Sequence, residues 1–455
     1  MKTRMNFKDE FYQKLKLLVL PIAIQNFMLA LVSATDAIML GWIDQTSLSA
    51  VSLAGQVQFV LSLFISGIAA GAGIMAAQYW GKQDAASIEK VIPIALRTNL
   101  LFSGLFTILA GFCPEMLMRI FTNDAALVAS GSQYLRAVAL SYVLCGISQV
   151  YLILLKNTGH AAVSSRISST AVVLNILLNA ILIYGLCGAP ALGIRGAAYA
   201  TVAARVVELI WAYLETKKPE RVRILWNRLF SSAGKILSED FWRYTLPVLA
   251  ASLVWGIAYV LYSVIMGHMG SDAVAANSIT SIAKSLLSCL IRGVSGGAGV
   301  LIGNLLGANE LEKAREYGGR LSHLSIAIGI VTGGLLMLIS PAIVHFAPLS
   351  DTAAEYLQYM LLFCGLNLMA QSVNTTVLDG IFCAGGDAKF DMQGNIGAMW
   401  CFSVPLGFLA AFWLKLPVMV VYCIVNLDEI VKLPAVYHHY KKYIWVRNIT
   451  RDVED

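Results

Sequence analysis

One acidic residue, Asp36, lies inside an uncharged stretch near the start of the 455-residue chain. Ser33 lies one turn before it, and Gln25 lies eleven residues before it, about three helical turns that return to nearly the same face. The three side chains therefore form a polar stripe on one predicted helix. Removing a carboxylate from water disfavours its charged form, so this position suggests reversible protonation. The alternative is an acid near the outer headgroups, because Asp44 follows soon after.

Two asparagines add amide groups to this chemistry. Asn175 and Asn179 are four residues apart and share one face of a later predicted helix. Their amides can bond Asp36 or a group on a substrate, and hydrogen bonding between helices is an equally good interpretation. Thr201, in the following predicted helix, is a further small polar candidate.

Two pairs of opposite charge have i,i+3 spacing near predicted cytoplasmic helix ends. They are Arg205 with Glu208, and Glu429 with Lys432, and Asp428 belongs to the second cluster. Side chains at this spacing are neighbours on a helix surface. We expect local salt bridges or gate contacts at both places.

Three further charged residues lie in or beside apolar segments of the second half. Asp379 is expected at the inner interface of the membrane. Lys284 and Arg292 fall within an apolar span, where they can attract an anionic substrate or neutralise an acid such as Asp379. The sequence does not decide between these two roles.

The composition identifies the surroundings of all these residues. Hydrophobic residues make up 58% of the chain and charged residues 13%, and the mean hydropathy is +0.70, so lipid must cover much of the surface. The apolar residues run continuously, without the period-two alternation of a membrane barrel. The sequence therefore predicts an all-α integral membrane protein.

Twelve transmembrane helices are predicted, six in each half of the chain, since about 20 apolar residues span a bilayer. Their approximate spans are 15–41, 49–78, 91–113, 133–155, 165–187, 192–214, 242–267, 274–303, 321–345, 356–382, 392–413 and 417–437. The predicted domains are a six-helix bundle at 1–220, a cytoplasmic linker at 221–240, and a second six-helix bundle with a cytoplasmic tail at 241–455.

An internal repeat supports this division. Residues from Leu20-Pro21 onward match residues from Leu246-Pro247 onward at an offset of 226, in register for about 60 positions. The glycine runs 67–73 and 293–299 coincide, and tight helix packing is a better interpretation of them than a hinge. An even number of helices per repeat relates the two bundles by an axis along the membrane normal. At this offset Asp36 aligns with Tyr262, so the acid is present in only one copy of the repeat.

Lys and Arg cluster before the first span and in alternate connectors, whereas the intervening loops hold few cations. By the positive-inside rule, both termini are predicted to be cytoplasmic. The net charge of +6 reflects this bias and an affinity for anionic lipid headgroups, and it does not suggest nucleic-acid binding. The first apolar run is too long for a signal peptide and is expected to remain as a membrane anchor.

The sequence contains no motif typical of a nucleotide-binding, metal-dependent or disulfide-forming enzyme. The glycine run at 296–299 lies in an apolar span and lacks a GK[ST] ending, so it is not a nucleotide loop. The six His residues form no metal motif, and the eight Cys residues form no CxxC pair. We expect no cofactor, no bound metal and no enzyme activity.

The order of motifs resembles the multidrug and toxic compound extrusion (MATE) transporters over nearly the whole chain. The resemblance lies in the Leu-Pro starts of the first and seventh helices, Asp36 with Met39-Leu40-Gly41, Gly71-Ala72-Gly73 followed by Gly81, Asn175 with Asn179, Gly196-Ala197-Ala198 with Ala200-Thr201, and Gly385-Gly386-Asp387. It implies an inner-membrane antiporter that exports amphipathic, often cationic compounds in exchange for H⁺ or Na⁺.

The resemblance also implies roles for single residues. Asp36 matches the first-helix aspartate linked to cation coupling, and Asn175, Asn179 and Thr201 match polar positions around it. Some members have an aspartate where this chain has Asn179. NorM-type members with a sodium site in the second half have acids where this chain has Trp255 and Ser372. Coupling through Asp36, with H⁺ ahead of Na⁺, is therefore the expected mechanism.

A substrate cavity between two bundles would be lined by polar, apolar and aromatic side chains, each of which could equally face lipid or the core. The candidates are Gln25, Phe27, Met28, Phe59, Phe64, Trp255, Tyr259, Tyr262 and Met399. Expected partners are small amphipathic molecules and the lipid bilayer, and the expected assembly is a monomer. The alternatives are a flippase for a lipid-linked sugar, which Lys284 and Arg292 would favour, and a transferase acting on lipid phosphates, for which no metal motif is present.

Overall fold

The structure is a computed structural model that describes residues 7–42, 45–224, 226, 229, 234–347 and 349–451. Side chains are described for all of these except residues 7–9, 33, 34, 37, 41 and 45. Ser33 and Asp44, which the sequence argument compared with Asp36, therefore lie outside the described side chains. The described part of the chain is almost entirely helical and has no β-strand, as an all-α fold predicts.

The described part of the first half forms seven α-helices. They are α1 (Phe7–Gly41), α2 (Gln45–Gly81), α3 (Ala85–Phe112), α4 (Pro114–Arg119), α5 (Ala125–Leu155), α6 (Ala161–Tyr184) and α7 (Ile194–Thr216). The predicted fifth and sixth spans correspond to α6 and α7.

In the second half, eight α-helices lie within the residues that the structure describes. They are α8 (Lys235–Gly267), α9 (Ser271–Gly307), α10 (Leu311–Phe346), α11 (Asp351–Thr375), α12 (Ala388–Asn395), α13 (Val404–Phe408), α14 (Val418–Val425) and α15 (Asp428–Tyr440). Wider π-helical turns continue α11 through Thr376–Phe382 and join α12 to α13 through Ile396–Ser403.

Ten helical segments of the described chain are long and apolar enough to cross a membrane, which makes the protein a multi-pass membrane protein. One of them, Ala125–Tyr184, has 60 residues. At 1.5 Å per residue it measures about 90 Å, far more than one crossing of about 30 Å. It is broken at Gly159, whose φ of 81° lies in the left-handed region, so α5 and α6 are separate helices.

The predicted last span, 417–437, is interrupted between α14 and α15. Neither piece is long enough to count among the ten segments. The total of twelve crossings and the symmetry axis stay predictions.

The chain divides into two compact units. We call Phe27–Leu249 the N-unit, and Met1–Asn26 together with Ala250–Arg451 the C-unit. The helices α1 and α8 are each divided between the units, at nearly equivalent positions of the repeat. The division at residues 220 and 241 from the sequence stays a prediction.

Repeat-equivalent glycines make equivalent close contacts in the two units. A Cβ on Gly67 would lie 2.9 Å from the Cα of Leu249, on the first part of α8. A Cβ on Gly293 would lie 2.9 Å from the Cα of Ala23, on the first part of α1. These glycines therefore permit close approach of helix backbones, as the tight-packing interpretation predicts.

An apolar cluster in the N-unit holds together the helices that form the site described below. It includes Leu40 of α1, Leu61 of α2, Leu135 of α5 and Ile183 of α6, all of which are buried. Because interiors are closely packed, this cluster fixes the rotation of each helix about its axis.

Candidate functional site

The N-unit contains a cavity of about 350 Å³. Helices α1, α2, α5, α6 and α7 contribute its wall. The lining residues are Leu29, Val32, Asp36, Gly55, Gln58, Phe59, Ser62, Tyr134, Ala171, Val172, Asn175, Thr201, Ala204, Arg205 and Glu208. Eight of these residues have polar or charged side chains, and the other seven are apolar residues or glycine. A cavity in which polar groups converge is typical of a small-molecule site.

Four predicted residues form a hydrogen-bonded chain along this cavity. Asn179 Nδ2 donates to Asp36 Oδ1 at 2.5 Å and to Asn175 Oδ1 at 3.3 Å. Asn175 Nδ2 in turn donates to Thr201 Oγ1 at 3.3 Å, and that hydroxyl donates to the Ala197 carbonyl at 3.0 Å. The structure thus brings together residues from α1, α6 and α7 that the sequence identified separately.

Asp36 differs in its partners from Glu208, the other acid of the cavity wall, which forms an ion pair with Arg205. The carboxylate of Asp36 accepts a hydrogen bond from a neutral amide and forms no ion pair with any residue that the structure describes. The Oδ1 atom of Asn179 is buried and has no hydrogen-bond partner within the described chain. An unneutralised carboxylate beside an unused carbonyl oxygen can accept a proton or a small cation.

The predicted pair Arg205 and Glu208 lies on the same cavity wall as an ion pair. Arg205 Nη1 donates to Glu208 Oε2 at 2.7 Å, and Ser148 Oγ donates to Glu208 Oε1 at 2.8 Å. The Glu208 side chain is 2% exposed and that of Arg205 is 20% exposed. Both oxygens of the buried carboxylate are therefore bonded, whereas the guanidinium reaches the cavity.

The aromatic and apolar candidates of the first half do not all line this cavity. Phe59 does, but Phe27, Met28 and Phe64 are not part of its wall. Phe64 stacks on Phe102 at a centroid distance of 4.7 Å. Gln25 is half-buried and belongs to the C-unit part of α1.

The candidates of the second half cluster in the C-unit. Trp255 stacks on Tyr259 at 5.5 Å between ring centroids. Tyr262 and Met399 are 8% and 1% exposed and belong to one apolar cluster, against which Trp255 packs. In this conformation Tyr262 and Met399 are core residues and not cavity residues. The residue type alone does not distinguish these two locations.

A second polar cluster, buried in the C-unit, surrounds Lys432. Its Nζ atom lies 3.2 Å from Glu429 Oε1, 3.7 Å from Asp428 Oδ2 and 3.1 Å from Asn395 Oδ1. Asn395 Nδ2 donates to Asp391 Oδ1 at 3.2 Å. The predicted pair of Glu429 and Lys432 is thus present, within a larger group of charges.

The other charged candidates of the C-unit form no ion pair with this cluster in the described part of the chain. Lys284 Nζ donates to Asn367 Oδ1 at 2.9 Å. Among the residues described, neither Lys284 nor Arg292 forms an ion pair with Asp379. Arg292 and Asp379 are both exposed side chains. Their roles in attracting a substrate or forming a gate stay predictions.

Several residues of these sites were not found from the sequence. On α2, Gly55, Gln58 and Ser62 were missed, although with the predicted Phe59 they follow i, i+3, i+4, i+7 spacing, a signal that could have identified this face. Ser148 gave no such signal, because a single serine in an apolar helix is common. Asp391 was missed because it lies just before the predicted span 392–413, in a polar segment with Lys389 and Gln393.

Comparisons with known proteins agree with this architecture. The probable multidrug resistance protein YoeA of Bacillus subtilis is 21% identical, over 99% of this chain and 98% of its own. The probable multidrug resistance protein NorM of Agrobacterium fabrum is 24% identical, over 84% of this chain and 83% of its own. Among solved structures, a MOP superfamily transporter from Pyrococcus furiosus has a TM-score of 0.85, with 20% identity over 95% of both chains.

The family model MatE matches twice, at residues 21–181 and 247–409. The two matches start at Pro21 and Pro247, the same positions from which the 226-residue repeat runs. Together they cover most of the chain. The chain therefore belongs to the MatE family, whose members are transporters and not enzymes.

Proposed function

We propose that the protein is a secondary antiporter that exports amphipathic compounds in exchange for H⁺. The observation that carries this proposal is the chain from Asp36 through Asn179 and Asn175 to Thr201 on the wall of the N-unit cavity. It joins one titratable group to polar groups that a bound compound can reach. The relatives named as multidrug resistance proteins support the choice of substrate class.

H⁺ is preferred over Na⁺ as the coupling ion. Asp36 is the single carboxylate of the Asp36–Asn179 contact, and neutralising it takes one proton. On protonation, the new O–H needs an acceptor, and the unpartnered Oδ1 of Asn179 is close enough to supply one after an amide rotation. In the second half, Trp255 and Ser372 replace the acids of a NorM-type sodium site, which favours coupling in the N-unit.

The proposed cycle alternates access to the two sides of the cytoplasmic membrane, with both termini inside and one chain as the working unit. Protonation of Asp36 from outside removes a charge from the cavity and weakens its hold on a cationic compound, which is released outward. Return of the cavity to the inside delivers the proton to the cytoplasm. No cofactor is needed, because the ion gradient supplies the free energy.

The experiment is transport by purified protein in proteoliposomes under an imposed H⁺ or Na⁺ gradient. Asp36→Asn keeps the shape of the side chain but cannot be protonated in this range, so gradient-driven efflux is expected to be lost while the protein remains folded. The matched control is Asp351→Asn, at an exposed acid in the first turn of α11, which should transport normally. Unchanged H⁺-driven efflux by Asp36→Asn would exclude this mechanism.

A further inference from the structure

Arg205 presents unused hydrogen-bond donors to the N-unit cavity. Its guanidinium donates one hydrogen bond, from Nη1 to Glu208, and has no other partner among the residues described. Its Nε and Nη2 atoms are accessible and unpaired within the described chain, and Arg205 belongs to the cavity wall. These two atoms form one edge of the planar group, and that edge matches the two oxygens of a carboxylate.

The position of this edge is fixed by buried groups. Glu208 holds Nη1, and Ser148 holds the other oxygen of Glu208. Because both carboxylate oxygens are occupied, the side chain of Glu208 has one orientation, and Arg205 is oriented with it. A donor edge held in this way loses little conformational freedom when it binds a ligand.

Asp36 and Arg205 lie toward opposite ends of the cavity. The step from Asn179 to Asn175 is one turn of α6, and the step from Thr201 to Arg205 is one turn of α7. A short connection joins the two helices, so both steps run away from it, and together they cover about 12 Å at 1.5 Å per residue. Between the two ends the wall carries apolar side chains, among them Val32, Val172 and Ala204, beside the polar groups of Asn175 and Thr201.

We infer that the cavity binds zwitterionic amphipathic compounds, with a basic amine toward Asp36 and a carboxylate on the free edge of Arg205. This inference rests on the proposed function and specifies its substrate class. The amine and the proton then compete for one carboxylate, so protonation of Asp36 weakens binding of the compound, whereas the contact between the ligand carboxylate and Arg205 does not depend on that proton. A neutral carbonyl offers one oxygen in place of two and is bound less tightly.

The test is equilibrium binding to the purified protein, without any ion gradient. The probes are an aminomethyl-biphenyl-carboxylate, a rigid apolar body with an ammonium and a carboxylate at its ends, and its methyl ester, which retains only the ammonium. The intact protein is expected to bind the acid about tenfold more tightly than the ester, the value of one charge-assisted hydrogen bond.

The key variant is Arg205→Lys, which keeps the charge next to Glu208 and removes the planar edge. It should lose the preference for the acid and bind the ester as the intact protein does. Equal binding of acid and ester by the intact protein, or equal weakening of both by Arg205→Lys, would overturn the inference. Because binding is measured without a gradient, these outcomes are independent of whether Asp36→Asn abolishes H⁺-driven efflux.

Discussion

In the N-unit, the carboxylate of Asp36 faces a cavity and accepts a hydrogen bond from a neutral amide. In the C-unit, the carboxylates of Asp428 and Glu429 are buried together with the ammonium of Lys432. Both units therefore place acids inside a membrane protein, where unpaired charge is costly. Asp36 differs from Asp428 and Glu429 in the source of the positive charge that compensates the carboxylate.

The C-unit carries its counterion on its own chain. The ammonium of Lys432 bonds Glu429 and the Oδ1 atom of Asn395, and Asn374 Nδ2 donates to Glu429 Oε2 at 2.8 Å. In the N-unit, Asp36 has no such cation among the residues described, so a proton or an ion from solution has to supply it. A cation on the protein's own chain suits a permanent structure. A carboxylate without such a cation can instead exchange protons or ions with the solution.

The largest expected effect comes from removing the internal cation. Lys432→Met leaves the buried carboxylates of Asp428 and Glu429 without a positive partner, and the loss of one member of a buried charge pair costs about 3–5 kcal/mol. We expect a correspondingly lower free energy of unfolding, measured by denaturation in detergent micelles. Asp36→Asn, in contrast, should leave stability nearly unchanged.

The control for Lys432→Met is Lys284→Met, in the same unit. Lys284 bonds the amide oxygen of Asn367 and forms no ion pair in the described part of the chain. Its removal should cost less, about 1.5–3 kcal/mol, the value of one hydrogen bond to a charged donor. Equal losses in the two variants would show that Lys432 is not a special counterion, and the contrast between the units would fail.

The sequence predicted the N-unit site better than the C-unit cluster, for a physical reason. Asp36 is a single acid in an apolar helix, and Asn175 and Asn179 show the i,i+4 spacing of one helix face, so residue type and local geometry suffice to find them. Lys432 bonds Asn395, and its partner Glu429 accepts from Asn374, so both asparagines come from other helices. Which side chains meet across helices depends on the rotation of each helix, and helices that are apolar all round do not reveal it.

The aromatic candidates illustrate the same limit. Phe59 lines the N-unit cavity, whereas Phe64, five residues later, stacks on Phe102. Both are large and apolar, and such side chains pack equally well against lipid, a core or a substrate. Residue type alone therefore could not separate them, and neither could it place the breaks at Gly159 and between α14 and α15.

Gly71 and Gly297, which are equivalent in the repeat, contact different kinds of atom in the two units. A Cβ on Gly71 would lie 2.7 Å from the backbone Cα of Thr245, and one on Gly297 would lie 2.8 Å from the Cγ2 atom of Val19. A backbone atom cannot move aside as a side-chain methyl can. Gly71→Ala should therefore cost about 1–3 kcal/mol in the free energy of unfolding, and Gly297→Ala less.

The controls for the glycine variants are Gly104→Ala and Gly334→Ala, one in each unit, where an added methyl would meet nothing within 4 Å. Both lie within helices, where alanine is favoured over glycine, so neither should destabilise the protein. If Gly297→Ala proved more damaging than Gly71→Ala, the C-unit would be the more rigid of the two at this contact.

The smallest expected effect concerns the far end of the hydrogen-bonded chain. Thr201→Val keeps the shape of the side chain but removes the acceptor of Asn175 Nδ2, whose bond is 3.3 Å long. A neutral hydrogen bond of this kind contributes about 0.5–1.5 kcal/mol, so H⁺-driven efflux should fall roughly threefold to tenfold in proteoliposomes.

Asn179→Ala removes the direct donor to Asp36 at 2.5 Å and should reduce efflux further. If the two variants had equal effects, or if Thr201→Val had the larger one, the chain would not transmit the state of Asp36 along the cavity in the order that the hydrogen bonds suggest. Asp36 would then act alone, and the contrast with the C-unit would reduce to the missing cation.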